Sequence, residues 1–113
     1  MDAKGNCYDT FAVECIKRMR FDKCFITSAS ISAEFGLSIQ RTGDIELYNA
    51  IINSSKCTIG LYPTEKIGFD SIISICPASK LDILITDWDA SEDMLKKFDE
   101  QDIQVVVVEK EGE

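Results

Sequence analysis

Lys66 lies in Tyr62-Pro63-Thr64-Glu65-Lys66-Ile67-Gly68, a polar loop directly after the apolar run Cys57 to Tyr62. If that run is a parallel strand, the lysine sits at its carboxyl end, where open α/β sheets gather ligands. A lysine there suits an anion such as a phosphate. It is also what an ordinary exposed loop looks like. A second pattern, Asp87-Trp88-Asp89-Ala90-Ser91, follows another apolar run. It approximates D-x-D-x-T/V, in which one aspartate is a phosphotransfer nucleophile and the next an acid/base beside magnesium. Here it ends in Ser, and only one helix and one strand follow. That is too little chain for the lysine and further acids such chemistry needs. The other reading is a strand-end turn feeding a helix cap. Lys17, Arg18 and Arg20 form a third cluster. It reads as an anion patch, or as cations complementing the negative end of a helix dipole.

Other chemistries are closed. There is no histidine, so no Ser-His or Cys-His pair exists. General acid/base work would fall to a carboxylate or lysine with a shifted pKa. Cys7, Cys15, Cys24, Cys57 and Cys76 are odd in number and lack C-x-x-C spacing. They read as buried thiols in a reducing compartment, not as a zinc site. Neither G-x-x-x-x-G-K-[ST] nor G-x-G-x-x-G occurs, so nucleotide loops of those types are absent. No catalytic residue, metal or cofactor is expected.

The elements that must position these residues follow from hydrophobic spacing. Tyr8, Phe11, Ala12, Cys15, Ile16 and Met19 recur at three and four, predicting a helix over 7–20 capped by Asn6. That helix should bury Phe11, Cys15 and Ile16 and leave Lys17 and Arg18 wet. Strands are expected near 23–28, 57–62, 82–86 and 103–108, with a weaker one at 71–75. Helices are expected near 43–54 and 91–100, the second opened by a capping box at Asp89-x-x-Glu92. Residues 30–42 are small and polar and read as a loop. The runs at 82–86 and 103–108 are apolar enough for burial on both faces. The alternation implies an α/β fold of three layers, a mainly parallel sheet with helices on both faces. The stretch from Cys57 to Asp82 has no evident helix and leaves room for an antiparallel or edge strand.

At 113 residues the chain is expected to be one domain, 1–113, with a frayed charged tail at 109–113. A net charge of −8 opposes binding to DNA or anionic lipid. No apolar run reaches about 18 residues, and the N-terminus lacks a signal-peptide core. A cytoplasmic globular protein without membrane contact is the expectation.

Phe21 to Ile26, Gly36-Leu37-Ser38, Pro63 to Gly68 and Ala78 to Asp87, in order and with matching spacing over about 8–108, resemble segments of the sensor domain of DeoR-type bacterial transcriptional regulators. Phe21-Asp22-Lys23-Cys24-Phe25-Ile26 resembles that family's "DKAFIG" strand. Gly36-Leu37-Ser38 stands where the family has Gly-Leu-Thr. Pro63-Thr64-Glu65-Lys66-Ile67-Gly68 stands at its "D-x-S-K-x-G" loop, and Ala78-Ser79-Lys80-Leu81-Asp82-Ile83-Leu84-Ile85-Thr86-Asp87 at "L-x-x-x-D-x-L-I-T-D". The family has glycines at Thr27 and Ser30, an aspartate at Pro63 and often a lysine at Tyr48. The resemblance implies the C-terminal part of an effector-sensing domain, with a fold similar to ribose-5-phosphate isomerase and glucosamine-6-phosphate deaminase. It implies a phosphorylated sugar as effector, and DNA binding through an N-terminal helix-turn-helix absent from this chain. On that footing Lys66 would pair with the phosphate, with Thr27, Ser28 and Ser30 around the ligand. A fragment with half a sensor missing should leave apolar surface or strand edges open and form homo-oligomers. The competing expectations are a small sugar-phosphate isomerase-like enzyme and a ligand-free dimerisation module.

Overall fold

The computed structural model describes residues 6–109, with side chains from Thr10 onward. The expected Asn6 cap and the frayed tail past Glu109 lie outside that description. The chain runs α1 (Asn6–Lys17), β1 (Phe21–Ile26), β2 (Ser30–Ser32), β3 (Gly36–Ile39), α2 (Ile45–Asn53), β4 (Ser55–Leu61), β5 (Ile73–Cys76), β6 (Ile83–Asp87), α3 (Glu92–Asp99) and β7 (Gln104–Val108). Single 3-10 turns occupy Thr42–Asp44, Thr64–Lys66 and Ala78–Lys80.

The four expected strands form one sheet in the order β1-β4-β6-β7, every pair parallel. Flanked by helices, this is the α/β arrangement of a three-layer sensor fold. Its register is pinned by side chains as well as by the ladder. The Asp82 carboxylate accepts from the Thr58 amide at 2.8 Å, while the Asp82 amide donates to the Thr58 carbonyl at 2.9 Å. One face of the sheet carries Cys24, Ile26 and Leu84 into the core. There they meet Ile52 of α2, Ile31 and Leu37 of the β2–β3 hairpin, Tyr62, and Phe98 of α3.

The segment 30–42, read as a loop, is mostly a hairpin instead. β2 pairs antiparallel with β3, and β3 with β5, giving a second, three-stranded sheet. The serines disguised it, because polar residues at every second place look solvated. Here Ser30, Ser32 and Ser38 are all buried, and each hydroxyl has a partner. β5 is thus the antiparallel strand for which the 57–82 stretch left room.

Three further expectations are corrected. First, α1 stops at Lys17 rather than residue 20. The Ile16 carbonyl is taken by the Met19 amide at 2.9 Å and the Ser54 hydroxyl at 3.0 Å, which turns the chain into β1. Phe11 is 69% exposed, Cys15 and Ile16 are only half-buried, and Val13 is the buried residue. Val13 and Ala50 line one cleft, so α1 docks on α2 through a stripe rotated away from Phe11. Lys17 and Arg18 are exposed as expected. Second, β7 is not buried on both faces. It is an outer strand with a neighbour on one side only, and Val106, Val107 and Val108 remain exposed. Third, the cap of α3 is Ser91, whose hydroxyl accepts from the Met94 amide at 3.4 Å. Asp89 is turned instead toward Thr64.

Gly36 closes the hairpin with φ +87°, and a Cβ there would lie 2.1 Å from the Cys76 carbonyl oxygen. Left-handed backbone and overpacking each cost a side chain about 1–3 kcal/mol. Gly36→Ala should therefore lower stability by about 2–4 kcal/mol in urea unfolding. Gly43→Ala, with nothing within 4 Å of its added Cβ, should shift it by no more than about 0.5 kcal/mol.

Candidate functional site

Because all four strands of the main sheet are parallel, their carboxyl ends come together at one end. That end carries the loop from Thr27 to Ala29 after β1, the turn Thr64–Lys66 after β4 and the stretch from Trp88 to Ser91 after β6. The four residues expected from the sequence to meet a ligand are Thr27, Ser28, Ser30 and Lys66. They lie on the first two of these connections and at the start of β2.

Their environments differ sharply. Thr27 is exposed, and its carbonyl accepts from the Tyr48 hydroxyl of α2 at 2.9 Å. Ser28 is buried. Its hydroxyl contacts the Tyr62 hydroxyl at 2.7 Å and donates to the Ser30 carbonyl at 3.0 Å. Ser30 is buried too, with its hydroxyl 2.9 Å from those of both Ser38 and Ser71. Lys66 is half-buried on the Thr64–Lys66 turn and has no ion-pair partner among the described residues.

The turn that presents Lys66 is held by the two aspartates singled out in the sequence. Thr64 donates to the Asp87 carboxylate through both its amide and its hydroxyl, and its hydroxyl also lies 2.8 Å from Asp89. The hydrogen bond from the Thr64 hydroxyl above all holds the Asp87 carboxyl below the usual aspartate range, against the opposing effect of desolvation. The pair therefore serves the strand-end turn, with Thr64 as its shared donor. Sequence reasoning weighed the aspartates but missed Thr64 and Tyr62, which carry no motif of their own. Burial pushes the Tyr62 phenol well above its ordinary range despite the Ser28 hydrogen bond, so it stays a neutral hydrogen-bonding group.

Two cavities open near these loops. One of about 310 Å³ is lined by Leu61, Tyr62, Pro63, Thr86, Asp87 and neighbouring strand residues. Another of about 210 Å³ is lined by Ala29, Gln40, Arg41 and Asp44. Arg41 is a second cation close to the 27–30 loop that no sequence pattern marked. The described cysteines are free, with Cys24 and Cys76 buried and Cys15 and Cys57 half-buried. Burial pushes the Cys76 thiol up to about 11, which keeps it protonated and unreactive at neutral pH.

The depressed Asp87 pKa favours the folded turn above the ordinary aspartate range. That contribution is lost as pH falls through the folded value. Thr64→Val removes the hydroxyl donor, so the Asp87 titration followed by carbon-detected NMR should move up toward the ordinary range. An unmoved titration would show that Thr64 does not hold this carboxylate.

With this geometry in place, comparison with known proteins assigns the chain to a family. The family model described as the DeoR C terminal sensor domain matches residues 2–88. The HTH-type transcriptional regulator GolR of Listeria innocua is 28% identical over 94 residues. That alignment covers 83% of this chain and 37% of GolR, so the chain spans little more than a third of that regulator's length. Among the described residues, no helix is long and apolar enough to cross a membrane. The parallel sheet, the Lys66 turn and the family match over most of the chain lead to one assignment: this chain belongs to the DeoR C-terminal sensor domain family.

Proposed function

We propose that the chain is the effector-sensing part of a DeoR-type transcriptional regulator of sugar metabolism, and that its effector is a phosphorylated sugar. The observation that carries this reading is Lys66. It is a half-buried cation without an ion-pair partner among the described residues, on a turn at the carboxyl end of a parallel strand. A phosphate dianion needs such a cation. Thr27 is the exposed polar residue on the neighbouring loop. Ser28 and Ser30 contribute hydroxyls just beneath it, and each would exchange a present partner for the ligand on binding.

The sensor acts without catalysis on this reading. Its ligand biases a conformational equilibrium that a helix-turn-helix elsewhere in the regulator reads out on DNA, most simply as relief of repression. With a net charge of −8, this chain does not itself hold DNA. The cytoplasm is where such a regulator works, and homo-oligomers are its working state. A ligand-free dimerisation module is the second reading. What favours it is that Ser28 and Ser30 are buried and already hydrogen-bonded.

Calorimetric titration with hexose and pentose phosphates tests the proposal. A charge-assisted hydrogen bond contributes ~1.5–3 kcal/mol. At about 1.4 kcal/mol per decade, Lys66→Ala should weaken binding by roughly 10- to 150-fold while stability hardly changes. Equal affinities would remove Lys66 as the phosphate anchor. No binding by the unaltered chain would leave the dimerisation module.

A further inference from the structure

We infer that the sugar body of the effector binds at the carboxyl ends of β4, β6 and β7, where the buried Thr86 hydroxyl pairs with one of the sugar hydroxyls. The inference rests on the sugar-phosphate reading above and assigns the sugar half of that ligand. Thr86 is 3% exposed, and its Oγ1 has no hydrogen-bond partner among the described residues. It is the one buried side-chain polar atom there without a partner. The buried hydroxyls of Ser28, Ser30 and Ser38 are all paired. An unpaired buried hydroxyl is destabilising, whereas valine has the same shape and no hydroxyl to satisfy. A threonine at this place calls for a partner from outside the chain.

Thr86 lies on the inward face of β6, two residues after Leu84, which is fully buried in the core. Past Leu84 the core gives way to the cavity of about 310 Å³, and Thr86 is one of the residues lining it. A volume of that order suits one small ligand. Tyr62 and Asp87 also line it, and both are already engaged: the Tyr62 hydroxyl with Ser28, the Asp87 carboxylate with Thr64. Thr86 is therefore the polar side chain of this lining that remains for a ligand. Its Oγ1 is closed off from solvent in this conformation. One staggered rotation about the Cα–Cβ bond brings the hydroxyl to the position its methyl holds, with the backbone unmoved. A ligand entering the cavity can thus draw the hydroxyl to itself.

The remaining walls, Leu61, Pro63, Ile85 and Val108, are apolar. A sugar matches that combination, because its C–H face packs on apolar walls while its hydroxyls lie along its edge. A single placed hydrogen bond among apolar walls then fixes which way the ring faces. The phosphate has its place next to the cavity. Pro63 lines the cavity, and its carbonyl accepts from the Lys66 amide at 2.9 Å, so cavity wall and cation belong to one turn. Pairing with a sugar hydroxyl also relieves the cost that Thr86 carries in the free chain.

Calorimetric titration of the whole 113-residue chain with hexose and pentose phosphates, alongside urea unfolding, is the test. Thr86→Val should weaken sugar-phosphate binding about 3- to 10-fold, the range of one neutral hydrogen bond, without lowering stability. Thr86→Ser, which keeps the hydroxyl, should bind as the unaltered chain does. Val108→Trp, at a half-exposed residue on the cavity rim, should fill the cavity and weaken binding about tenfold or more. An affinity unmoved by Thr86→Val would overturn the Thr86 contact, and one unmoved by Val108→Trp the cavity; either would leave Lys66 and the sensor reading standing. A marked loss of stability in Thr86→Val would show that the hydroxyl has a partner within the protein, which overturns the inference too. No binding by the unaltered chain would overturn it together with the sugar-phosphate reading.

Discussion

The contact between the Ser28 and Tyr62 hydroxyls, 2.7 Å long and closed off from solvent, joins the ends of β1 and β4 where the main sheet meets the small one. A buried hydroxyl without a partner is costly, so this pair tolerates little displacement. From Ser28 the network continues through the Ser30 carbonyl, and the Ser30 hydroxyl meets those of Ser38 and Ser71. Ser32 extends it by donating to Asp70 at 2.6 Å. A hairpin built on serines is thereby held in place with its polar groups satisfied. Its apolar residues, Ile31 and Leu37, fill the space between the two sheets.

The same logic sets up the loops at the carboxyl end of the main sheet. The Thr64–Lys66 turn does not depend on packing alone, because Thr64 is held by Asp87 and Asp89 from the neighbouring strand end. The Thr27 loop is held by the Tyr48 hydroxyl from α2. Tyr48 and Pro63 therefore sit where the loops are braced. Pro63 precedes the turn in extended conformation, and its carbonyl accepts from the Lys66 amide at 2.9 Å. Hydrogen bonds from the neighbouring strand end thus frame the turn that carries Lys66.

The two faces of the main sheet show how far period-two patterning carries. Cys24 and Ile26 alternate with Phe25, and Leu84 with Ile83 and Ile85, so either set could face a core. Only one set does. A run such as Val105 to Val108 reads as doubly buried because its composition carries no mark of which strand stands at an edge.

What the sequence alone determined was the set of parallel strands, their alternation with helices, and the loop bearing Lys66, whereas Thr27, expected inside the first strand, lies past its end at Ile26. These depend on local hydrophobic period and on turn residues, which act over a few neighbours. The family pattern was legible for the same reason, since "LD-x-LITD" and "DK-x-FI" are short segments read in order. Tertiary structure alone decided the rest. The β2–β3 hairpin exists because distant hydroxyls, Ser71 and Asp70 among them, satisfy serines that would otherwise seek water. The buried stripe of α1 falls on Val13 because α1 meets α2, not because of its own spacing. Asp87 and Asp89 hold a turn because Thr64, more than twenty residues away, lies within reach. Each of these outcomes rests on a partner far along the chain, and local sequence carries no term for a partner it does not contain.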